Sequence, residues 1–297
     1  MQQDAVGVEV KHRSADVGVG LYTTLAVAVD DVVLYERPIV SVLEFGEDAP
    51  PLGANCDVCL RRLGSEAQGS VPHCGCCPAR WCSTTCYVAS NHRESGLCPG
   101  ASTAMLNYFA CAEEVCNEYF VLAARLLALN PADDAPWTSL KGTPWWETIT
   151  PASADKADAH REGAHQLTAM QCQMLVEALP SCGVSTLELA EIMGMVRMNA
   201  VGICVGGGPD DPGDAALGLF DATCRINHSC EPNAAIVAVG DPFASATVCA
   251  SRPIAAGEEV TIDYLACSEK AGAAKRAELL EQYRFECRCA ACQRECG

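Results

Sequence analysis

Residues able to hold a metal crowd two stretches of the chain. Between positions 56 and 98 stand Cys56, Cys59, Cys74, Cys76, Cys77, Cys82, Cys86, His92 and Cys98, and near the end runs Cys287-Arg288-Cys289-Ala290-Ala291-Cys292. Thiolate and imidazole are the ligands zinc prefers, and a spacing of x2 or x3 lets two neighbours reach one ion. The first stretch groups into Cys56 with Cys59, Cys74 with Cys76 or Cys77, Cys82 with Cys86, and His92 with Cys98, which suits two tetrahedral ions. The spacing from Cys74 favours Cys77, while the distance to Cys82 suits Cys76 equally well. The terminal group supplies three thiolates, and a structural zinc takes four. A total of 21 cysteines would suit a disulfide scaffold in a short exported chain, but Met1 to Gly18 is too polar for an export signal. Reduced, metal-binding cysteines in the nucleus and cytoplasm are therefore expected.

Three further motifs accompany the cysteines: Gly18-Val19-Gly20-Leu21, Asn227-His228-Ser229-Cys230-Glu231-Pro232-Asn233, and Gly257-Glu258-Glu259-Val260-Thr261-Ile262-Asp263-Tyr264. Glycines at 18 and 20 let a backbone approach a small molecule closely. In this order, and closed by the terminal cysteines, the motifs resemble a SET-domain protein lysine methyltransferase. The block at 56–98 resembles a MYND zinc module inserted into that domain, the arrangement of the SMYD family.

The resemblance implies S-adenosylmethionine as methyl donor, gripped by the backbone of Gly18, Val19 and Gly20, by Asn199, and by Asn227 and His228. It implies Tyr264 as the catalytic phenol beside the methyl group, with Tyr283 and Phe285 contacting the adenine and walling the lysine channel. Ile262 takes the position that limits methyl number, and its modest bulk leaves room for more than one. Interleaved zinc pairing is implied too: Cys56, Cys59, Cys82 and Cys86 on one ion, Cys74, Cys77, His92 and Cys98 on the next. Cys230 completes Cys287, Cys289 and Cys292 on a third. Such modules usually close with His-x3-Cys, whereas five residues separate His92 from Cys98 here, so a longer loop or another last ligand is implied. The ten remaining cysteines, Cys76, Cys111, Cys116, Cys172, Cys182, Cys204, Cys224, Cys249, Cys267 and Cys296, mostly read as small core residues.

Methyl transfer to an amine needs a neutral lysine nitrogen, in-line placement and a pocket that excludes water, with no covalent enzyme nucleophile. The net charge of −18 argues against direct nucleic-acid binding and favours a protein substrate with an accessible lysine, basic tails included. No apolar run approaches a membrane span. A catalytically inactive chain whose MYND module binds proline-containing peptides as an adaptor is the competing reading. Members of this family often continue into a helical C-terminal domain, and with the chain ending five residues after Cys292 a more open substrate groove is expected.

The elements that must position these residues belong to an α+β fold, a SET-domain β-fold split by a MYND zinc module and a helical insert, with a zinc-bound post-SET segment. The divisions are 1–50 for the SET N-terminal part, 51–100 for the zinc module, 101–198 for the helical insert, 199–266 for the SET C-terminal part, and 267–297 for the post-SET helix and cysteines. The valine-rich stretch 6–42, as in its runs at 6–10 and 32–35, reads as short strands, and so do the runs at 200–205, 234–239 and 246–250. Residues 103–129 lack Pro and Gly and read as one long helix ending at Asn130-Pro131, followed by a loop around Trp137, Trp145 and Trp146. Helices are expected at 160–179, at 186–197 behind a Ser185/Glu188 capping box, and from a Ser268 cap to Gln282, with a turn at Gly206-Gly207-Gly208-Pro209.

Overall fold

The computed structural model describes residues 7–14, 18–64, 71–129, 140, 143–148, 157–207, 211, 213–237, 243–266, 268 and 270–296. In chain order the elements are β1 (Val8–Ser14), β2 (Gly18–Thr23), β3 (Val32–Glu36), β4 (Val40–Leu43), α1 (Thr84–Ser90), α2 (Thr103–Glu114), α3 (Glu118–Ala128), α4 (Trp145–Thr148), α5 (Ala157–Ala178), α6 (Thr186–Asn199), β5 (Val201–Val205), β6 (Asp214–Leu219), β7 (Asn227–His228), β8 (Ala234–Val237), β9 (Ala246–Ala250), β10 (Thr261–Ile262), α7 (Gly272–Tyr283) and α8 (Ala290–Cys296). Among the described residues no helix is long and apolar enough to cross a membrane.

Two compact units share these elements. The first comprises Met1–Arg37, Phe220–Val239 and Ser245–Gly297. It holds the antiparallel pair β1–β2, the antiparallel sheet β3-β9-β8 and the short parallel pair β7–β10. Apolar residues turn inward from these strands and the adjoining loops, so that Leu21, Val33, Leu34, Val248, Val260 and Ile262 form one core, Val33 and Leu34 both being buried where the β3–β9 register shifts. The strands are short, and loops supply the remaining backbone bonds. Val27 and Ile254 exchange N–H···O bonds in both directions, and the Val260 N–H donates to the Leu21 carbonyl.

The second unit comprises Pro38–Leu219 and Gly240–Ala244. Here the antiparallel sheet β4-β6-β5 accompanies helices whose apolar faces bury Tyr108, Phe120, Leu126, Leu175, Leu189 and Met193. Two large buried side chains of this core have their polar atoms paired. Tyr108 donates its hydroxyl to the Phe120 carbonyl at 2.7 Å, and the Trp145 indole donates to the Thr168 hydroxyl at 2.8 Å.

Several expectations need correction. The single helix over 103–129 is two helices, because Cys116 adopts the left-handed region at φ 45° and Asn117 caps α3 by accepting the Tyr119 N–H. Strand β6 and the short helices α1, α4 and α8 were missed, α4 carrying Trp145 and Trp146. The capping box at Ser185 and Glu188 is present. Ala271, however, stands at the N-cap of α7, and the Ser268 hydroxyl donates instead to Glu278 at 2.9 Å. Of the leftover cysteines with described side chains only Cys172 is buried, while Cys76 and Cys116 are exposed and the others half-buried. Asn130-Pro131, Trp137, Gly208-Pro209 and Cys267, with the last residues of the 234–239 run, lie outside the described residues.

Candidate functional site

Three quartets of potential ligands form: Cys56, Cys59, Cys82 and Cys86; Cys74, Cys77, His92 and Cys98; and Cys230, Cys287, Cys289 and Cys292. The ligand atoms within each quartet lie within 4.8 Å of one another. Zinc with thiolates at about 2.3 Å in a tetrahedron sets sulfur–sulfur edges of about 3.8 Å. The measured edges are 3.5 Å for Cys59–Cys82, 3.6 Å for Cys82–Cys86, 3.6 Å for Cys74–Cys98, and 3.8 and 3.6 Å from Cys230 to Cys287 and Cys292. Both donor chemistry and spacing therefore fit the ion. A hydrogen bond between Cys56 and Cys59 draws the Cys56 thiol down and pushes the Cys59 thiol up, so without an ion the two sulfurs share one proton.

Local structure explains the first two quartets, both in the second unit. Cys56 and Cys59 sit in a tight turn closed by the Asn55–Arg62 bridge, and Cys74 begins a similar turn closed by His73–Arg80. Ser83 caps α1 and accepts the Cys86 N–H, which fixes that ligand at the first turn of the helix. Asn91 at φ 44° and Gly96 at φ 78° bend the chain so that His92 and Cys98 close the second quartet despite their longer spacing. His92 Nε2 lies 3.2 Å from the Cys77 sulfur. Cys76 stands outside that quartet, exposed, with its sulfur 3.4 Å from both Cys74 and Cys98. Behind His92, its Nδ1 lies 3.9 Å from Asp57, and Asp57 accepts from Arg125 of α3 at 2.9 Å. At 3.9 Å the carboxylate is a charged neighbour of the imidazole rather than its hydrogen-bond partner.

The motif residues at 18–20, 227–228 and 264 meet in the first unit. Gly18 has φ 77° and open space where a side chain would stand. β7 and β10 pair in parallel, Asn227 with Thr261 and His228 with Ile262. The segment leading into β7 is fixed by buried Glu36, whose carboxylate accepts the N–H groups of Asp221 at 2.8 Å, Ala222 at 3.0 Å and Thr223 at 2.8 Å, and the Thr223 hydroxyl at 2.8 Å. Asn227 donates Nδ2 to the Val19 carbonyl at 3.0 Å, tying the glycine motif to this segment.

His228 is turned inward, its side chain 0% exposed. Nδ1 accepts the Tyr264 N–H at 3.1 Å, which places the ring proton on Nε2, and Nε2 faces the Cys230 sulfur at 3.4 Å. Burial lowers its pKa to about 4, against the pull of Asp263, so the neutral ring is the working form. Both ring nitrogens are thus engaged within the protein, and only the main chain of His228 remains to meet a ligand.

Tyr264 donates its hydroxyl to the Ile226 carbonyl at 2.7 Å. Burial raises this phenol well above its ordinary value, so it keeps its proton. Its ring lies 4.9 Å from Tyr283, 5.4 Å from His228 and 6.1 Å from Phe285, centroid to centroid. The third quartet fastens the segment that carries Tyr283 and Phe285, and an ion pair of Lys275 in α7 with Asp263, 2.5 Å, adds a second tie. Ile262 lies in the core of the unit. Asn199 ends α6 in the second unit, where its amide donates to the Met195 carbonyl at 2.7 Å.

A family model described as the SET domain matches residues 18–265. The chain belongs to the SET-domain family. Across 98% of its length it is 27% identical to the mouse histone-lysine N-methyltransferase SMYD3, covering 62% of that protein. The human SMYD3 protein is 28% identical over 81% of this chain and 52% of its own. The chain thus spans between 52% and 62% of the length of these relatives. The mouse protein-lysine N-methyltransferase SMYD4 is 40% identical over 27% of this chain and 10% of its own. A solved structure described as the SET domain of LSMT bound to lysine and AdoHcy aligns with 95% of this chain and 53% of that one, at 13% identity and a TM-score of 0.48.

This SET-domain chain is thus a mixed α+β protein with three cysteine or histidine quartets, one near its C-terminus, consistent with MYND and post-SET zinc sites. Five supporting residues were given no role by sequence reasoning: Glu36, Asp57, Glu259, Asp263 and Lys275. Four carried a signal. Glu36 is a charge directly after the valine-rich run 32–35, Asp57 directly follows a ligand, and Glu259 and Asp263 stand within the motif that ends at Tyr264. Lys275 acquires its partner only through the fold.

Proposed function

We propose that this chain transfers methyl groups from S-adenosylmethionine to lysine side chains of histone or other proteins. The observation that carries this reading is the placement of Tyr264, two residues past the strand that pairs with Asn227 and His228, its hydroxyl held on the Ile226 carbonyl and its ring packed against Tyr283 and Phe285. The open space at Gly18 suits a small molecule approached closely by backbone. When bound, S-adenosylmethionine supplies a methyl carbon made electrophilic by its sulfonium. The protein's own part is positioning. The neutral Tyr264 hydroxyl oxygen orients the incoming amine, and the aromatic rings exclude water and tolerate positive charge. A lysine nitrogen that has lost its proton to solvent would form the new N–C bond as the methyl–sulfur bond breaks, the electron pair passing to sulfur and S-adenosylhomocysteine leaving as a neutral thioether.

Glycines 18 and 20, the backbone of Val19, Asn227 and the main chain of His228 are assigned to the donor, with Tyr283 and Phe285 lining the lysine channel beside Ile262. Three zinc ions are assigned to the quartets in an architectural role. The proposed division is the one drawn from sequence, 1–50, 51–100, 101–198, 199–266 and 267–297. A strongly acidic chain is suited to basic protein tails in the nucleus and cytoplasm. Calorimetric titration with S-adenosylmethionine tests the reading. Saturable binding at one site supports it, and no binding by the zinc-loaded, folded chain overturns it in favour of an adaptor.

A further inference from the structure

The Asn227 side chain is held in one orientation by what surrounds it. Its Nδ2 donates to the Val19 carbonyl at 3.0 Å and to Oε1 of Glu259 at 2.8 Å. A carboxylate and a carbonyl can only accept, so both amide hydrogens are committed and a flip of the amide would set Oδ1 against two acceptors. Oδ1 is therefore directed away from both, and among the described residues no donor bonds to it. Gly20 belongs to the same cluster. A β-carbon there would stand 2.6 Å from Glu259 Oε1 and 3.0 Å from Asn227 Nδ2, so glycine is what lets carboxylate and amide meet.

Glu259 is itself fixed through its main chain. It bridges to Tyr22, its carbonyl accepts from the Asn233 amide at 2.7 Å, and its successor Val260 donates to Leu21. Strand pairing alone would need no particular side chain at 259. The carboxylate does two further things: it locks the Asn227 amide with its carbonyl outward, and it places a negative charge beside that acceptor. An outward acceptor next to a carboxylate is suited to an N–H-bearing cation.

We infer that Glu259 is a positioning residue of the donor site, holding Asn227 so that the pair recognises the ammonium of the donor's amino-acid end. The inference rests on the methyl-donor reading above. It assigns to Gly20 the role of admitting Glu259 and Asn227, in addition to any approach of backbone to ligand.

The test uses the full zinc-loaded chain and three nucleosides: S-adenosylhomocysteine, its des-amino analogue, and 5′-methylthioadenosine, which lacks the amino-acid end. Glu259→Gln is expected to weaken S-adenosylhomocysteine by about tenfold, the loss of one charge-assisted contact, and to leave methylthioadenosine unchanged. Glu259→Asp, which keeps the charge, should recover part of the loss. Equal losses for both nucleosides, or no loss for either, in a variant melting like the wild type would overturn the inference. If the variants do not fold, the wild type decides alone: it should bind the des-amino analogue about tenfold more weakly than S-adenosylhomocysteine, and equal affinity overturns the inference. Failure of the wild type to bind any of the three overturns the donor-site reading and this inference with it, which separates that outcome from a failure at Glu259.

Discussion

The His228 imidazole accepts the main-chain N–H of Tyr264, and through its other nitrogen reaches the Cys230 sulfur. One ring therefore links the residue proposed to orient the lysine with the quartet that fastens the C-terminal segment. His228→Ala should leave the Tyr264 N–H without an acceptor and cost about 2 kcal/mol or more. It should also weaken zinc at the third quartet by about tenfold or more, as loss of an outer partner does. Thermal melting and chelator competition on the same sample check both. A loss of donor affinity with unchanged melting and zinc retention would instead assign the ring to the ligand.

Elemental analysis should find three zinc ions per chain, one for each quartet. Cys289→Ser should lose one ion and, with it, donor binding, because Tyr283 and Phe285 lie in the segment that this site ties down. Two ions in the wild-type chain would refute the count.

Glu36→Gln should be strongly destabilising although it changes neither shape nor size much. Its two carboxylate oxygens together accept three main-chain N–H groups and a hydroxyl, so either orientation of an amide sets an NH2 against donors. A loss of about 2–3 kcal/mol is expected from hydrogen bonds to a buried charge. Denaturant unfolding measures it. A loss under about 0.5 kcal/mol would mean the segment before Asn227 is held by other contacts.

Burial keeps the Tyr264 phenol protonated to higher pH than a free tyrosine. A raised pKa retains the neutral form, so no ionisation of Tyr264 should enter the rate profile between about pH 7 and 10. Turnover should rise with pH as the substrate amine loses its proton, and Tyr264→Phe should lower the whole profile without moving its limbs. A limb that vanishes in the variant would show Tyr264 titrating.

Much of the site was legible because ligand chemistry constrains spacing. Cys56 to Cys98 gave two quartets, with only the choice between Cys76 and Cys77 left to geometry, and here the fold places Cys77 against His92. Contiguous strands such as β9 were legible from valine and alanine runs. The break at Cys116 was not, because nothing in a run without Pro or Gly announces that Asn117 will cap a new helix. Nor was the inward turn of the His228 ring, which depends on Tyr264 and Cys230, one far along the chain and one nearby. Glu36 and Glu259 take their partners from residues 185–187 and 32 positions away respectively, separations to which local pattern is blind.

Methyl transfer from labelled S-adenosylmethionine to lysine-containing peptides on an array, comparing the wild type with Tyr264→Phe, bears most directly on the central claim. The wild type should label lysines. The variant should bind the donor within about twofold of wild type but transfer at least about 100-fold more slowly, the lower end of what a positioned acid–base or orienting group contributes. Transfer at the wild-type rate by the variant, or donor binding by the wild type with no lysine labelled, would contradict it.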